Sequence, residues 1–198
     1  VEVRLDCLNQ LTRESVAQLF KELSDLGLPK IATVMPRTLF GRFGGDSRER
    51  ASLLLSAADH AEYIDAGAEM GPALLADLVE RVRAGGRAEV IISCHSDRPL
   101  AVNEITSLVK GSDPGTICKV VMPAWNACDN ITALEACRSL EGFRRIVFCY
   151  NEEGALSRAL SPLFGSEWTY ASLKRGKETA PGQLDIGSLR MVQGALGP

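Results

Sequence analysis

Residues 88–122 read AEVIISCHSDRPLAVNEITSLVKGSDPGTICKVVM. Two strand-like runs, 88–95 and 116–122, flank a helical stretch at 99–110. Strand, helix, strand at this spacing is the unit from which a parallel sheet is built. The pattern continues in both directions. Further strand-like runs lie at 1–7, 30–35, 61–65, 145–150 and 167–171. Helical stretches with apolar residues at three- and four-residue spacing lie at 14–26, 47–59, 71–84, 127–140 and 185–195. In 71–84 the stripe is Leu74, Leu75, Leu78, Val79 and Val82, and Gly85-Gly86 ends it.

Two architectures use such a pattern: an open doubly wound sheet and a closed (β/α) barrel. No G-x-G-x-x-G follows the first strand, which removes the main support for a dinucleotide fold. A TIM-type (β/α)8 barrel has eight strands and about 250 residues. Seven strands are read here in 198 residues, and the chain opens inside the first of them. The expectation is therefore a single barrel catalytic domain over residues 1–198, lacking or rearranging its first βα unit. Open strand edges are normally covered, so a partner subunit or a rearranged strand is expected over the gap.

Composition narrows the function classes. Hydrophobic residues make up 45% and charged residues 24%, ordinary for a soluble globular protein, and the net charge is −3. No basic stripe suggests nucleic acid; Lys174, Arg175 and Lys177 sit beside Glu178 and read as a solvated loop. No apolar run approaches the roughly 20 residues that cross a bilayer, and no secretory signal is read at the start. The six cysteines are scattered without a C-x-x-C pair, which suits a reduced, cytoplasmic protein. With two histidines and no ligand spacing, no metal site is expected.

Three strands break the apolar rule for buried parallel strands. In 1–7, Glu2, Arg4 and Asp6 alternate with Val1, Val3, Leu5 and Cys7. At an edge this is one wet face; inside a barrel it points into the lumen, where charges need partners or a polar ligand. The run 88–95 ends on His95, at the strand end where barrel enzymes collect catalytic groups. A structural histidine and an acid–base histidine are equally compatible with that place. In 116–122, Lys119 stands among Ile117, Cys118, Val120 and Val121. Read alone, it is foremost a lysine with a packed stem and its head in water. Burial would instead favour the free amine, the form that attacks a ketone.

The order of these residues resembles one family. VEVRLD (1–6), IISCHS (91–96), ICKVVMP (117–123), EEGALSRALSPLFGSEWTYA (152–171) and TAPGQLDIGSLR (179–190) are similar to five motifs of the type I 3-dehydroquinate dehydratases. Five motifs in order are more specific than any one of them; SR-x5-FGS followed by APGQ is the strongest pair. The resemblance implies a (β/α)8 barrel, no cofactor, a homodimer and dehydration of 3-dehydroquinate to 3-dehydroshikimate in the shikimate pathway. It implies Lys119 as the imine-forming lysine and His95 as general acid and base. Glu2 and Arg4 would hold ring hydroxyls. Arg158 would clamp the carboxylate. Thr179 and Gln183 on the APGQ loop would close over the same end.

The chain also departs from the family pattern. The family has a strand and helix before its E-x-R-x-D strand. Residues 32–46, ATVMPRTLFGRFGGD, are several residues longer than usual, leaving Arg37 or Arg42 as the substrate-binding arginine of that segment. Phe43 stands where the family has a carboxylate that tunes the histidine, with Asp46 or Glu69 as conceivable substitutes. Phe148 and Tyr150 replace two methionines of the pocket wall. Two other readings remain open: another lysine-imine barrel such as a class I aldolase, and a degenerate barrel that only binds ligand or partner.

Overall fold

The βα alternation read from the sequence is carried by six strands and seven helices in the computed structural model, which describes residues 1–196. The strands are β1 (Glu2–Arg4), β2 (Ile31–Thr33), β3 (Tyr63–Gly67), β4 (Glu89–His95), β5 (Ile117–Pro123) and β6 (Arg145–Tyr150). The helices are α1 (Arg13–Glu22), α2 (Ser47–Ala57), α3 (Pro72–Gly85), α4 (Val102–Lys110), α5 (Ala127–Ser139), α6 (Ala155–Leu160) and α7 (Ile186–Ala195). Contacts divide the chain into two compact units, residues 1–93 and residues from 94 onward.

In the first unit β1 to β4 pair in chain order, all parallel. The register sets Arg4 beside Thr33 and Thr33 beside Asp65. Paired residues of a parallel ladder share a face. One face of these strands therefore carries the polar side chains Glu2, Arg4, Thr33 and Asp65, interleaved with Ile31 and Ile91. The opposite face carries Ala32, Ile64, Ala66 and Val90, which pack with Val16, Phe20, Leu54, Leu78 and Val82 of the helices. The helices have local stops and starts. Thr12 and Ser15 exchange hydrogen bonds at the start of α1. Asp46 Oδ1 accepts from Glu49 N at 2.8 Å at the start of α2. Gly86 ends α3 in the left-handed region at φ 71°.

In the second unit β5 and β6 are parallel, with Lys119 beside Ile146 and Val121 beside Phe148. The outward face holds Cys118, Val120, Met122, Val147 and Cys149, packed on Ile105 and Val109 of α4 and on Ala133, Ala136 and Cys137 of α5. Asn126 caps α5, accepting from Cys128 N at 2.8 Å.

Two expectations need correction. The strand read at 167–171 does not form. Glu167 N donates to Arg145 O at 2.9 Å, but there the ladder stops. Side-chain bonds replace it: Ser166 Oγ donates to Trp168 O and Thr169 Oγ1 to Arg158 O. The first strand also ends sooner than read. Leu5–Cys7 is a 3-10 turn, so Asp6 leaves the face of Glu2 and Arg4. No helix among the described residues is long and apolar enough to cross a membrane.

Candidate active site

Lys119 is the third residue of a strand that is buried along its whole length, and it is only 4% exposed. Its neighbours Cys118 and Val120 point into the helix-packed core, so the lysine points to the other face. What lies under its amine is an aromatic ring: Nζ is 4.8 Å from the centroid of Tyr170. Tyr170 meets Phe148 at a centroid distance of 5.8 Å with the planes inclined by 54°. On Phe148 rests Arg158, its Cζ 4.5 Å from that centroid. Two basic side chains thus flank a pair of packed rings, and each is almost fully buried.

His95 is the last residue of β4 and half-buried. Ser96 N donates to Val121 O at 2.8 Å. In a parallel ladder that bond sets His95 beside Val121, on the face of Lys119 and two residues beyond it. Strand spacing and rise then put the two Cα atoms roughly 8 Å apart. Phe148 and Tyr150 of β6 share that face through their pairing with Val121 and Pro123. Burial pushes the Tyr150 phenol up, and the nearby Asp97 charge acts in the same direction. The ring therefore stays neutral.

Arg158 is placed by a network that the sequence reading missed. Asn130 of α5 is buried; its Nδ2 donates to Glu153 O at 2.7 Å, and its Oδ1 accepts from Ser157 N at 2.9 Å. Ser157 Oγ accepts from Cys149 N at 2.9 Å and donates to Gly154 O. The first turn of α6 is so pinned both to α5 and to β6. Ser157 stood in the motif quoted for Arg158, but Asn130 gave no signal beyond a polar residue in a helix.

Thr179 and Gln183 do meet. Gln183 Oε1 accepts from Thr179 N at 2.8 Å and from Thr179 Oγ1 at 3.2 Å. Between them Gly182 sits at φ 73°, so close to Asn151 that a Cβ there would lie 1.7 Å from Asn151 O. Only glycine permits that approach and that backbone. The loop is thereby seated at the end of β6.

The first unit holds its own polar cluster. Arg4 donates to Asp6 through Nε at 2.8 Å and Nη2 at 2.7 Å. Asp6 also accepts from Met35 N at 3.2 Å and Arg42 N at 3.0 Å. Burial alone would raise this carboxyl; the guanidinium and the two backbone N–H groups outweigh it and hold it below the usual range. Thr33 Oγ1 donates to Glu2 Oε1 at 3.0 Å. Arg37 is exposed; its Nε donates to Arg42 O at 3.3 Å. Phe43 is buried in the apolar core. Neither conceivable substitute for its carboxylate stands free: Asp46 caps α2, and Glu69 pairs with the buried Arg50. Among the described residues no group of three or more His, Cys, Asp or Glu side chains is placed to hold a metal.

A family model described as type I 3-dehydroquinase matches residues 1–197. The chain is 32% identical over 200 residues to the 3-dehydroquinate dehydratase of Methanothermobacter thermautotrophicus, covering 100% of this chain and 85% of that one. It is 32% identical over 190 residues to the 3-dehydroquinate dehydratase of Dehalococcoides mccartyi, covering 95% and 82%. Among solved structures, 3-dehydroquinate dehydratase from Geobacillus kaustophilus superposes with a TM-score of 0.89 at 21% identity, over 98% of this chain and 79% of that one. The type I enzyme from Clostridium difficile, solved with covalently modified comenic acid, gives 0.87 at 22% identity, over 98% and 80%. At such identities the structures speak for the fold, a TIM-barrel-like parallel α/β arrangement.

Proposed function

Because the chain belongs to the type I 3-dehydroquinase family, we propose that it dehydrates 3-dehydroquinate to 3-dehydroshikimate in the shikimate pathway, through an imine at Lys119. One observation carries the assignment of the nucleophile: Lys119 is buried in mid-strand, on the same face as His95. A lysine with only a packing role has its head in water; this one does not.

Lys119 Nζ attacks the C3 ketone of the substrate, and loss of water leaves a protonated imine. That imine draws electrons from the neighbouring carbon and acidifies its hydrogen. His95 removes the C2 proton, giving an enamine. The electron pair returns and expels the C1 hydroxyl, which His95 protonates, so that it departs as water. A further water hydrolyses the imine, releasing product and restoring the amine. Arg158 holds the substrate carboxylate by charge-assisted hydrogen bonds. Thr179 and Gln183, on a loop seated by Gly182, cover the same end.

The test is a mass measurement. Mixed with 3-dehydroquinate and reduced with borohydride, the wild-type chain gains the mass of the reduced ligand. Lys119→Ala gains nothing and loses turnover. An adduct of equal yield on the alanine variant would overturn the assignment of Lys119.

A further inference from the structure

The assignment of Lys119 leaves the ring beneath it without a role. Tyr170 is not loosely draped there. Thr169 Oγ1 is bonded to Arg158 O at 2.6 Å on one side of it. On the other, Ser172 N donates to Leu184 O and Ser172 O accepts from Ile186 N, both at 2.9 Å. Phe148 braces the ring itself at 5.8 Å. The ring face is thus fixed before substrate arrives, 4.8 Å from Nζ.

We propose that Tyr170 is a catalytic residue of the imine reaction, the face of its ring stabilising the positive charge that settles on Lys119 Nζ. This rests on the reading of Lys119 given above and deepens it. When the amine adds to the carbonyl, a C–N bond forms. The carbonyl oxygen leaves as water, taking one proton from the nitrogen and one from a general acid. The nitrogen keeps one hydrogen, and its bond to carbon becomes double and cationic. That cation is the electron sink for the steps that follow. The negative face of an aromatic ring attracts it, and the attraction is strongest where water is excluded. Because the ring is already in place, no reorganisation opposes it when the charge develops.

A packing role predicts something different. If Tyr170 only supports the lysine stem, any ring of the same size serves equally well. Phenylalanine and phenylalanines carrying one, two and three fluorines at position 170 keep the ring but progressively drain its face of electrons. In the full chain, Tyr170→Phe should keep kcat within about threefold, because the ring face is retained. Along the fluorinated series kcat should fall stepwise, to roughly ten- to thirtyfold below the unfluorinated ring, with KM little changed. Tyr170→Leu should fall at least as far. A kcat that is flat across the fluorinated rings overturns the proposal, whatever the leucine variant does. Failure of the underlying reading looks different: the wild type itself then gives no turnover and no borohydride adduct, and the role of Tyr170 falls with it.

Discussion

Asp6 sits two residues past the last residue of β1, where the chain turns, and it collects four N–H donors, two from the Arg4 guanidinium and two from the backbone. A carboxylate so held is more stable charged than neutral, and its folded-state pKa lies below the ordinary 3.8. The sign of the pH effect follows. The stabilisation is fully present above about pH 4 and is lost as pH falls through the lower, folded-state value. Asp6→Asn should cost about 2–3 kcal/mol at neutral pH. It should also flatten the loss of urea resistance seen in the wild type on going below pH 4; an equally steep loss in the variant would show that other groups govern acid stability. A second residue-scale outcome concerns His95. If it moves the proton and does not form the imine, His95→Asn should still be trapped by borohydride on Lys119. Its kcat should fall by roughly 10²–10⁴-fold, the usual worth of a general acid–base group. Loss of trapping with loss of rate would instead tie His95 to imine formation.

Among the elements, α6 is the one whose position matters beyond its size. It has only six residues, too few to be held by its own helical bonds. Its first turn is fixed from outside, by Asn130 on α5 and through Ser157 to Cys149 on β6. Removing the Asn130 amide leaves the buried Ser157 N, and also Glu153 O, without those bonds. Asn130→Ala should cost about 2 kcal/mol of stability. It should also raise KM for 3-dehydroquinate, because Arg158 is one residue beyond the released Ser157. A variant that loses stability but keeps its KM would separate α6 from carboxylate binding. The APGQ loop gives a companion outcome. Gly182→Ala puts a Cβ against Asn151 O and strains a positive φ, so the loop must leave the end of β6. KM should rise by roughly tenfold with a small change in melting temperature, as expected when a positioning segment is displaced.

Across the whole chain, what could be read from the sequence depended on how far apart the interacting residues lie. The strands at 88–95, 116–122 and 145–150 were legible because a buried parallel strand is a continuous apolar run, and β4, β5 and β6 fall within a residue of those bounds. The run at 167–171 offered strand-favouring Trp168, Thr169 and Tyr170 but has no full-length partner, and a strand exists only by pairing. Lys119 and His95 stood out as polar residues in such runs; Tyr170 under the lysine and Asn130 behind Arg158 did not, since their partners lie dozens of residues away. Cysteine use follows the same logic and yields a test of the packing as a whole. None of the six cysteines is joined in a disulfide, and Cys118, Cys137 and Cys149 are buried within the core formed by β5, β6, α4 and α5. Burial pushes the thiols of Cys118 and Cys149 up to about 11 and raises that of Cys137. The thiolate is the reactive form, so these three are protected twice, by access and by protonation. Cys7 and Cys128 are exposed. Native labelling with iodoacetamide at pH 8, read by peptide mass, should modify Cys7 and Cys128 within minutes and Cys94 more slowly. Cys118, Cys137 and Cys149 should react only after urea is added. Early labelling of any of these three would mean that the sheet and its covering helices open locally, and that the apolar face opposite Lys119 is not the closed layer described for it.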